Sequence, residues 1–309
     1  MFLPRGFEQR SIVTSLGRMV YYTAQKLPEL SLETPAIEDL PKLVFLHGFG
    51  GGSSAYEWSQ VYPAFAGEYQ IFAPDLIGWG RSEHPAREYN IHDYITTIIE
   101  FLEQTCQSPT PVIASSLTAA LTIRAAIERP DLFKSLILTT PSGLSDFGEN
   151  YRNSFFAQLV KTPLLDRVIY STGVANSAGI RSFLEDRQFA RPNRVYPEIV
   201  EAYLESSVQP NAEYAALSFV RGDLCFDLSL YMSQLTTPTA IIWGEKSEFT
   251  SPEIGQRLAN LNPQAVRVFQ RLDDVGLTPH LEEPAMMIAL IRHLLNVLGA
   301  EKQSPELTR

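Results

Sequence analysis

The chain begins with two short runs in which β-branched and aromatic residues are concentrated. The runs cover residues 11–15 and 18–23 and are separated by Leu16 and Gly17. Strand-forming residues on either side of a two-residue connection that contains glycine are typical of a β-hairpin. A polar segment with several prolines, 27–41, follows. We therefore expect a hairpin that a linker joins to the rest of the chain.

From residue 42 onwards, short apolar runs alternate with longer segments of helical periodicity. The apolar runs, which we predict to be strands, are 43–46, 69–73, 111–114, 136–139, 240–243 and 265–269. The segments with helical periodicity are 91–104, 117–128, 252–260 and 284–298. Strands that alternate with helices form mainly parallel sheets, and the helices cover both faces of the sheet. The pattern therefore predicts an α/β fold.

The alternation stops between residues 142 and 235. This stretch has predicted helices at 151–160, 164–170, 178–186, 197–206 and 212–219. It is far longer than an ordinary connection between a strand and the next element. We interpret it as a helical cap inserted into a core that consists of residues 1–141 and 236–300. The last residues, 301–309, are polar, and we expect them to form a flexible tail.

Five short motifs occur where predicted strands end or final helices begin. They are His47-Gly48-Phe49-Gly50-Gly51-Gly52, Asp75-Leu76-Ile77-Gly78-Trp79-Gly80-Arg81-Ser82, Ala114-Ser115-Ser116-Leu117-Thr118, Ile242-Trp243-Gly244-Glu245-Lys246 and Gly276-Leu277-Thr278-Pro279-His280-Leu281-Glu282-Glu283-Pro284. In this order they resemble the α/β-hydrolase superfamily, in particular its capped esterase, peptidase and C–C hydrolase branch. The resemblance extends from the first hairpin to the last helix. It implies an eight-stranded, mainly parallel sheet with an inserted helical cap, and a catalytic serine, histidine and acid.

The glycine-rich loop exposes backbone amides, which are groups that can stabilise a developing oxyanion. By position in the family pattern, the amides of Phe49 and Leu117 are the candidate pair, with Gly48 and Ser115 beside them. The alternative is that the glycines only form a tight turn next to the sheet. The loop is not a dinucleotide-binding fingerprint, because it lacks the glycine spacing and the later acidic partner of that motif.

Ser116 occupies the place of the serine in the strand–turn–helix motif G-x-S-x-G. The flanking glycines of that motif are replaced here by Ala114 and Thr118. Glycine lets the helix pack close to the strand, whereas the β-branched side chain of threonine crowds this contact. Ser116 is therefore either the candidate nucleophile or a residue left over from an ancestral active site.

The histidine and the acid that the resemblance implies are both replaced. Leu277 stands at the usual position of the histidine, and Ser247 stands at the usual position of the aspartate. Leucine cannot transfer a proton, and serine is not a carboxylate. The remaining candidates are His280 as a relocated base and either Glu248 or Asp146 as a relocated acid.

A serine hydroxyl is a poor nucleophile unless a base lies within hydrogen-bond reach. We therefore favour a weak or non-hydrolytic family member, derived from a serine ester or acyl hydrolase. Its pocket would bind a small apolar or ester-like molecule under the cap, or its surface would bind a protein partner. The alternative is an active serine hydrolase of the carboxylesterase type, with Ser116 as nucleophile and His280 as base. Whether the protein is an enzyme stays open at this point.

The composition limits the kinds of molecule that we expect the protein to bind. The formal net charge is -10, which argues against nucleic acid, because phosphate contacts require lysine and arginine. No apolar run reaches the roughly 18 residues of a transmembrane helix, and no secretory leader is visible, so we expect a cytoplasmic protein without a transmembrane segment. Cys106 and Cys225 fit no metal-ligand spacing, and we expect neither a metal nor another cofactor.

Overall fold

The computed structural model describes residues 3–25, 39–148, 170 and 175–300. Its strands are β1 (Phe7–Thr14), β2 (Gly17–Ala24), β3 (Lys42–Leu46), β4 (Gln70–Pro74), β5 (Thr110–Ser115), β6 (Phe133–Thr139), β7 (Thr239–Gly244) and β8 (Val266–Leu272). They form one sheet in the order β1-β2-β4-β3-β5-β6-β7-β8. The β1–β2 and β2–β4 pairs are antiparallel, and all other neighbours are parallel. The eight-stranded, mainly parallel sheet is therefore confirmed.

Helices connect most of the parallel strands. In the described segments they are α1 (Ile91–Thr105), α2 (Ser116–Glu128), α3 (Ser177–Phe183), α4 (Pro197–Ser207), α5 (Ala212–Val220), α6 (Pro252–Asn260), α7 (Pro279–Glu282) and α8 (Pro284–Gly299). α1 begins at Asn90, whose side chain accepts hydrogen bonds from the amides of His92 and Asp93. The Asp93 carboxylate accepts from the Asn90 amide in return, which completes a capping box. None of these helices combines the length and the apolar character needed to span a membrane.

The central strand β5 shows how the sheet separates two apolar layers. Val112 and Ala114 belong to the layer that includes α1 and α2. Ile113, which lies between them, belongs to the opposite layer together with Met287 and Ile291 of α8. Successive side chains of a strand point to opposite faces. Helices therefore cover both faces of the sheet, as predicted.

The chain between β6 and β7, residues 140–238, is called the β6–β7 segment below. Its described helices α3, α4 and α5 coincide with the helices predicted at 178–186, 197–206 and 212–219. α3 ends three residues earlier than predicted, at Phe183, where a π-helical turn (Leu184–Gln188) begins. The helix predicted at 151–160 lies outside the described residues. So does the one at 164–170, apart from Tyr170, and so does the tail 301–309. The division into a core and a cap stays a prediction.

The β6–β7 segment contacts the glycine-rich loop at Gly52. This residue has a φ of +93°, in the left-handed region that favours glycine. A β-carbon at this position would collide with the backbone carbonyl group of Tyr203 in α4. Only glycine therefore permits the close approach between this loop and α4.

Candidate active site

Ser116 lies at the sharp turn between β5 and α2. Its φ is +57°, in the left-handed region that a residue with a β-carbon adopts only under strain. Ser115, the residue before it, is still extended with a φ of −120°. This is the local geometry that the strand–turn–helix motif around a nucleophilic serine requires.

The cavity beside Ser116 is small. Its volume is about 20 Å³, which is room for roughly one water molecule. Its lining among the described residues consists of Phe49, Ser116, Thr140, Ser142, Leu144, Phe183, Phe219, Phe249, Thr250 and Leu277. Six of these ten side chains are apolar and the other four carry hydroxyl groups. No described side chain of this lining is a base that could take the proton of Ser116.

Leu277 lines the same cavity as Ser116 and is only 6% exposed. Hydrogen bonds hold the backbone at Leu277 and at the residue before it. The Leu277 amide donates a hydrogen bond to the carbonyl oxygen of Gln188 at 2.8 Å. The amide of Gly276 donates to Oε2 of the buried Glu282 at 2.9 Å. The structure thus brings an apolar side chain, and not an imidazole, to the cavity of the candidate nucleophile.

His280 is completely buried and lies apart from this cavity. Its ring stacks on Trp58 with 3.8 Å between the ring centroids. Its Nε2 atom is 3.7 Å from Oε2 of Glu57, and neither ring nitrogen makes a hydrogen bond within the described structure. Burial lowers the pKa of His280, and the nearby Glu57 carboxylate counteracts this only in part. The structure does not bring His280 to Ser116.

The three residues considered for the catalytic acid make contacts with groups other than a histidine. Glu248 is exposed and forms an ion pair with Arg187 at 3.0 Å. Asp146 is buried and accepts hydrogen bonds from Ser142 Oγ at 2.6 Å and from the Leu228 amide at 2.9 Å. Burial raises the pKa of Asp146, and these hydrogen bonds counteract the rise. Ser247 is buried, and its hydroxyl group has no partner among the described residues. None of the three is bonded to a histidine within that part of the chain.

The peptide groups of the glycine-rich loop are fixed by two buried side chains. His47 Nε2 accepts a hydrogen bond from the Leu76 amide at 3.0 Å, so its proton is on Nδ1, which donates to the Gly48 carbonyl oxygen at 2.7 Å. The Gly48 amide donates to Glu57 Oε2 at 2.8 Å. Because the N–H of a trans peptide points away from its carbonyl group, His47 sets the direction of the Phe49 amide.

The two amides of the expected oxyanion site are available as donors. The Phe49 amide makes no hydrogen bond to another described residue. Leu117 is in the first turn of α2, where amides have no partner within the helix. Ser115 lies directly before this turn, and its buried hydroxyl group has no partner in the described part of the chain. The backbone part of the expected site is therefore present even though the side-chain part is not.

Glu57 is a buried carboxylate, 1% exposed, that the sequence did not point out. Besides the Gly48 amide it binds the hydroxyl group of Tyr203 in α4 at 3.0 Å. Burial alone would raise the pKa of Glu57, but the neighbouring polar side chains of His280, His47 and Ser53 together lower it below the ordinary value. Glu57 therefore connects the glycine-rich loop to the β6–β7 segment as an ionised group.

Two further residues of the site were missed for a different reason. Phe183 of α3 and Phe249 of the loop after β7 both line the cavity, and their ring centroids are 6.0 Å apart. Both are aromatic residues in segments without a recognisable motif, so no sequence signal distinguishes them. Glu57, in contrast, is a single acidic residue in the largely apolar and aromatic run 55–65, and that position was a usable signal.

Comparison with known proteins shows the family. The family model described as "Alpha/beta hydrolase family" matches residues 43–290, which is most of the chain. The chain belongs to the alpha/beta hydrolase family. The match includes the glycine-rich loop, the turn at Ser116 and the loops that carry Ser247 and Leu277.

Individual alpha/beta hydrolases resemble the chain over most of its length. Lipase 3 of Moraxella sp. (strain TA144) is 24% identical over 243 residues, which are 78% of this chain and 72% of that protein. Epoxide hydrolase 4 of Mus musculus is 25% identical over 228 residues, which are 70% of this chain and 62% of that protein. The solved structure of epoxide hydrolase CorEH without ligand has a TM-score of 0.74 at 20% identity and covers 94% of this chain and 99% of its own. These relatives are named for different reactions, so they do not select one for this chain.

Proposed function

We propose that this alpha/beta hydrolase family protein is a weak or non-hydrolytic member that binds a small apolar or ester-like molecule at the cavity of Ser116. The observation that carries the proposal is the position of Leu277. It lines the cavity of the candidate nucleophile, while the candidate base, His280, is stacked on Trp58. A serine in such surroundings keeps its proton.

The loss of rate that follows is large. Catalysis that lacks a triad member retains only about 10³–10⁴-fold acceleration over water, which comes from the oxyanion donors and from binding. Here the usual acid is also missing, because Ser247 cannot orient an imidazole. Hydrolysis by this site would therefore be slow even if an ester entered the cavity.

The groups that remain at the site are suited to binding. The amides of Phe49 and Leu117 can donate to a carbonyl oxygen, and the aromatic wall of the cavity can contact an apolar substituent. The helical segment 142–235 would act in this proposal as a cap over the core 1–141 and 236–300. A protein partner in place of a small molecule is the second form of the proposal, and the cavity volume of about 20 Å³ favours it.

The competing function is an active serine hydrolase with Ser116 as nucleophile. The strained turn at Ser116 and the two free amides are the observations in its favour. It requires His280 to leave its stacking contact with Trp58 and the neighbourhood of Glu57. It also requires an acid, for which Glu248 or Asp146 would have to give up its present partners.

Ester hydrolysis tests the proposal directly. Short- and medium-chain p-nitrophenyl esters are incubated with the wild type, with Ser116→Ala and with the Leu277→His, Ser247→Asp double variant. The loops of the two substituted residues are joined by a hydrogen bond from the Lys246 amide to the Val275 carbonyl oxygen at 2.9 Å. We expect no turnover by the wild type beyond that of Ser116→Ala, and a measurable gain in the double variant. Wild-type turnover that disappears in Ser116→Ala and equals or exceeds that of the double variant would refute the proposal.

A further inference from the structure

Two aromatic residues lie where the cavity of Ser116 approaches the protein surface. Phe249 lines the cavity and is at the same time 36% exposed. An open hollow of about 690 Å³ lies next to the cavity. Phe183 lines both the hollow and the cavity. Phe249 follows Glu248, which lines the hollow, and its ring is 6.0 Å from that of Phe183 and tilted by 54°. The two rings therefore lie together where the cavity and the hollow approach each other.

We propose that Phe249 and Phe183 form the gate through which a ligand reaches Ser116, and that this gate selects neutral molecules with a slender apolar group. The inference rests on the proposed binding function. It adds the route, the gating residues and the class of ligand.

Phe249 is the ring that moves. It lies in the loop after β7, and its exposed side has no packing to lose when the side chain rotates outwards. Phe183 is the last residue of α3 and is followed by the π-helical turn Leu184–Gln188. A residue anchored between two helical turns is the fixed side of the gate, because its backbone is held by hydrogen bonds in both directions. Rotation of Phe249 alone joins the cavity of about 20 Å³ to the open hollow.

The gate favours neutral ligands because no described side chain of the cavity lining carries a charge that could pair with an ion. The described cavity lining has six apolar and four hydroxyl-bearing side chains and no charged one. The carboxylate of Asp146, which bonds to the lining residue Ser142, also accepts hydrogen bonds from backbone amides. Moving an unpaired ion into such surroundings costs several kcal/mol. A carbonyl group, in contrast, can accept hydrogen bonds from the amides of Phe49 and Leu117.

The charges outside the gate do not select by sign. The hollow is lined by Asp186, Arg187 and Glu248. Arg187 and Glu248 neutralise each other in an ion pair at 3.0 Å. The Asp186 carboxylate accepts a hydrogen bond from Ser182 at 2.7 Å and keeps its charge, which is screened by salt beyond about 8 Å. Paired surface charges produce little long-range attraction at physiological salt. The selection between neutral and charged ligands therefore takes place at the two aromatic rings and not in the open hollow.

Access can be measured without any catalysis by labelling a Ser116→Cys variant with methanethiosulfonates. The thiol loses its proton to solvent, the thiolate attacks the divalent sulfur of the reagent, and methanesulfinate leaves with the electron pair of the broken S–S bond. Three reagents of similar length are compared: neutral propyl, anionic 2-sulfonatoethyl and cationic 2-(trimethylammonio)ethyl methanethiosulfonate. Intact-protein mass gives the rates. The wild type measures the background from Cys106 and Cys225, which are both buried.

We expect the neutral reagent to react at least about tenfold faster than either charged one. Adding Phe249→Ala accelerates the charged reagents at least about tenfold, and Phe249→Leu gives an intermediate rate. The matched control is Tyr196→Ala, which removes an exposed aromatic ring elsewhere, in the β6–β7 segment, and leaves the rates unchanged. Urea unfolding of each variant confirms that it is folded.

Equal rates for all three reagents in the Ser116→Cys parent would overturn the gate, and so would rates that Phe249→Ala leaves unchanged. The failure of the proposed function has a separate readout. Ester turnover by the wild type would refute the non-hydrolytic function but leave the gate intact, because labelling reports access alone. Absence of turnover together with ungated labelling would refute the gate and leave the function standing.

Discussion

Replacing Glu57 by glutamine perturbs the one buried carboxylate that joins the glycine-rich loop to α4. In the native protein its two oxygens accept from the Gly48 amide at 2.8 Å and from the Tyr203 hydroxyl group at 3.0 Å. Glutamine has nearly the same shape but only one accepting oxygen. One of the two buried donors therefore faces an NH₂ group, which cannot accept its hydrogen.

The size of the effect follows from that lost partner. A hydrogen bond to a charged acceptor contributes about 1.5–3 kcal/mol, and a buried donor left without a partner costs a similar amount. The uncharged amide costs less to bury than the carboxylate, which offsets part of the loss. We therefore expect Glu57→Gln to lower the free energy of unfolding at pH 7 by about 2 kcal/mol.

The pH dependence gives an independent check. The pKa of Glu57 in the folded protein lies below the ordinary value, whereas the unfolded chain has a glutamate pKa of about 4.3. The unfolded state therefore takes up the proton first as the pH falls. The stabilisation is complete above about pH 4.3 and is lost as the pH falls through the folded-state pKa. The difference between the wild type and Glu57→Gln is thus larger at pH 7 than at pH 3.5.

Urea unfolding followed by far-UV circular dichroism measures the free energy of unfolding of each protein at pH 7 and at pH 3.5. Glu68→Gln is the matched control, because Glu68 is exposed and pairs with Arg292 at the surface, and it should change the free energy of unfolding by less than about 0.5 kcal/mol. The reasoning about Glu57 is wrong if Glu57→Gln behaves like this control. It is also wrong if the difference from the wild type stays the same at pH 3.5.

Two further substitutions test neighbouring contacts. His280→Phe keeps the stacking on Trp58 but removes a buried imidazole whose pKa burial has lowered. Because the unfolded state protonates first below about pH 6.5, wild-type stability falls as the pH decreases below that value, and the variant should show a smaller slope in pH-dependent urea unfolding. An unchanged slope would contradict the burial of a neutral imidazole. Gly52→Ala forces a β-carbon against the Tyr203 carbonyl and should cost more than about 2 kcal/mol. Gly148→Ala, which also has a positive φ but open space around it, should cost about 1 kcal/mol, and thermal unfolding that ranks the two equally would refute the steric argument.

The sheet was predictable because its signals are local. β3, β5 and β7 are buried on both faces and read in the sequence as short apolar runs, each bounded by turn residues. The limits of β8 were less accurate. It runs to Leu272 and not to 269, since the two polar, exposed residues Gln270 and Arg271 interrupt the apolar pattern before Leu272.

The site was only partly predictable for the opposite reason. Ser116 and the amides of Phe49 and Leu117 belong to motifs that a few consecutive residues define. The bond between Glu57 and Tyr203 joins positions 146 residues apart, and the pairing of Phe183 with Phe249 depends on how α3 approaches the loop after β7. Such contacts arise from tertiary packing, and no local pattern encodes them.

The bonds that hold the peptide groups around Gly48 have a thermodynamic consequence for any ligand. His47 and Glu57 orient these groups in the unliganded protein, so the Phe49 amide does not have to be ordered when an acceptor arrives. The conformational entropy that a mobile loop would lose on association has already been lost during folding. A ligand should therefore bind to this amide without rearrangement of the loop. The loop would not move to accommodate a ligand whose acceptor atom is slightly misplaced, so such a ligand should bind more weakly.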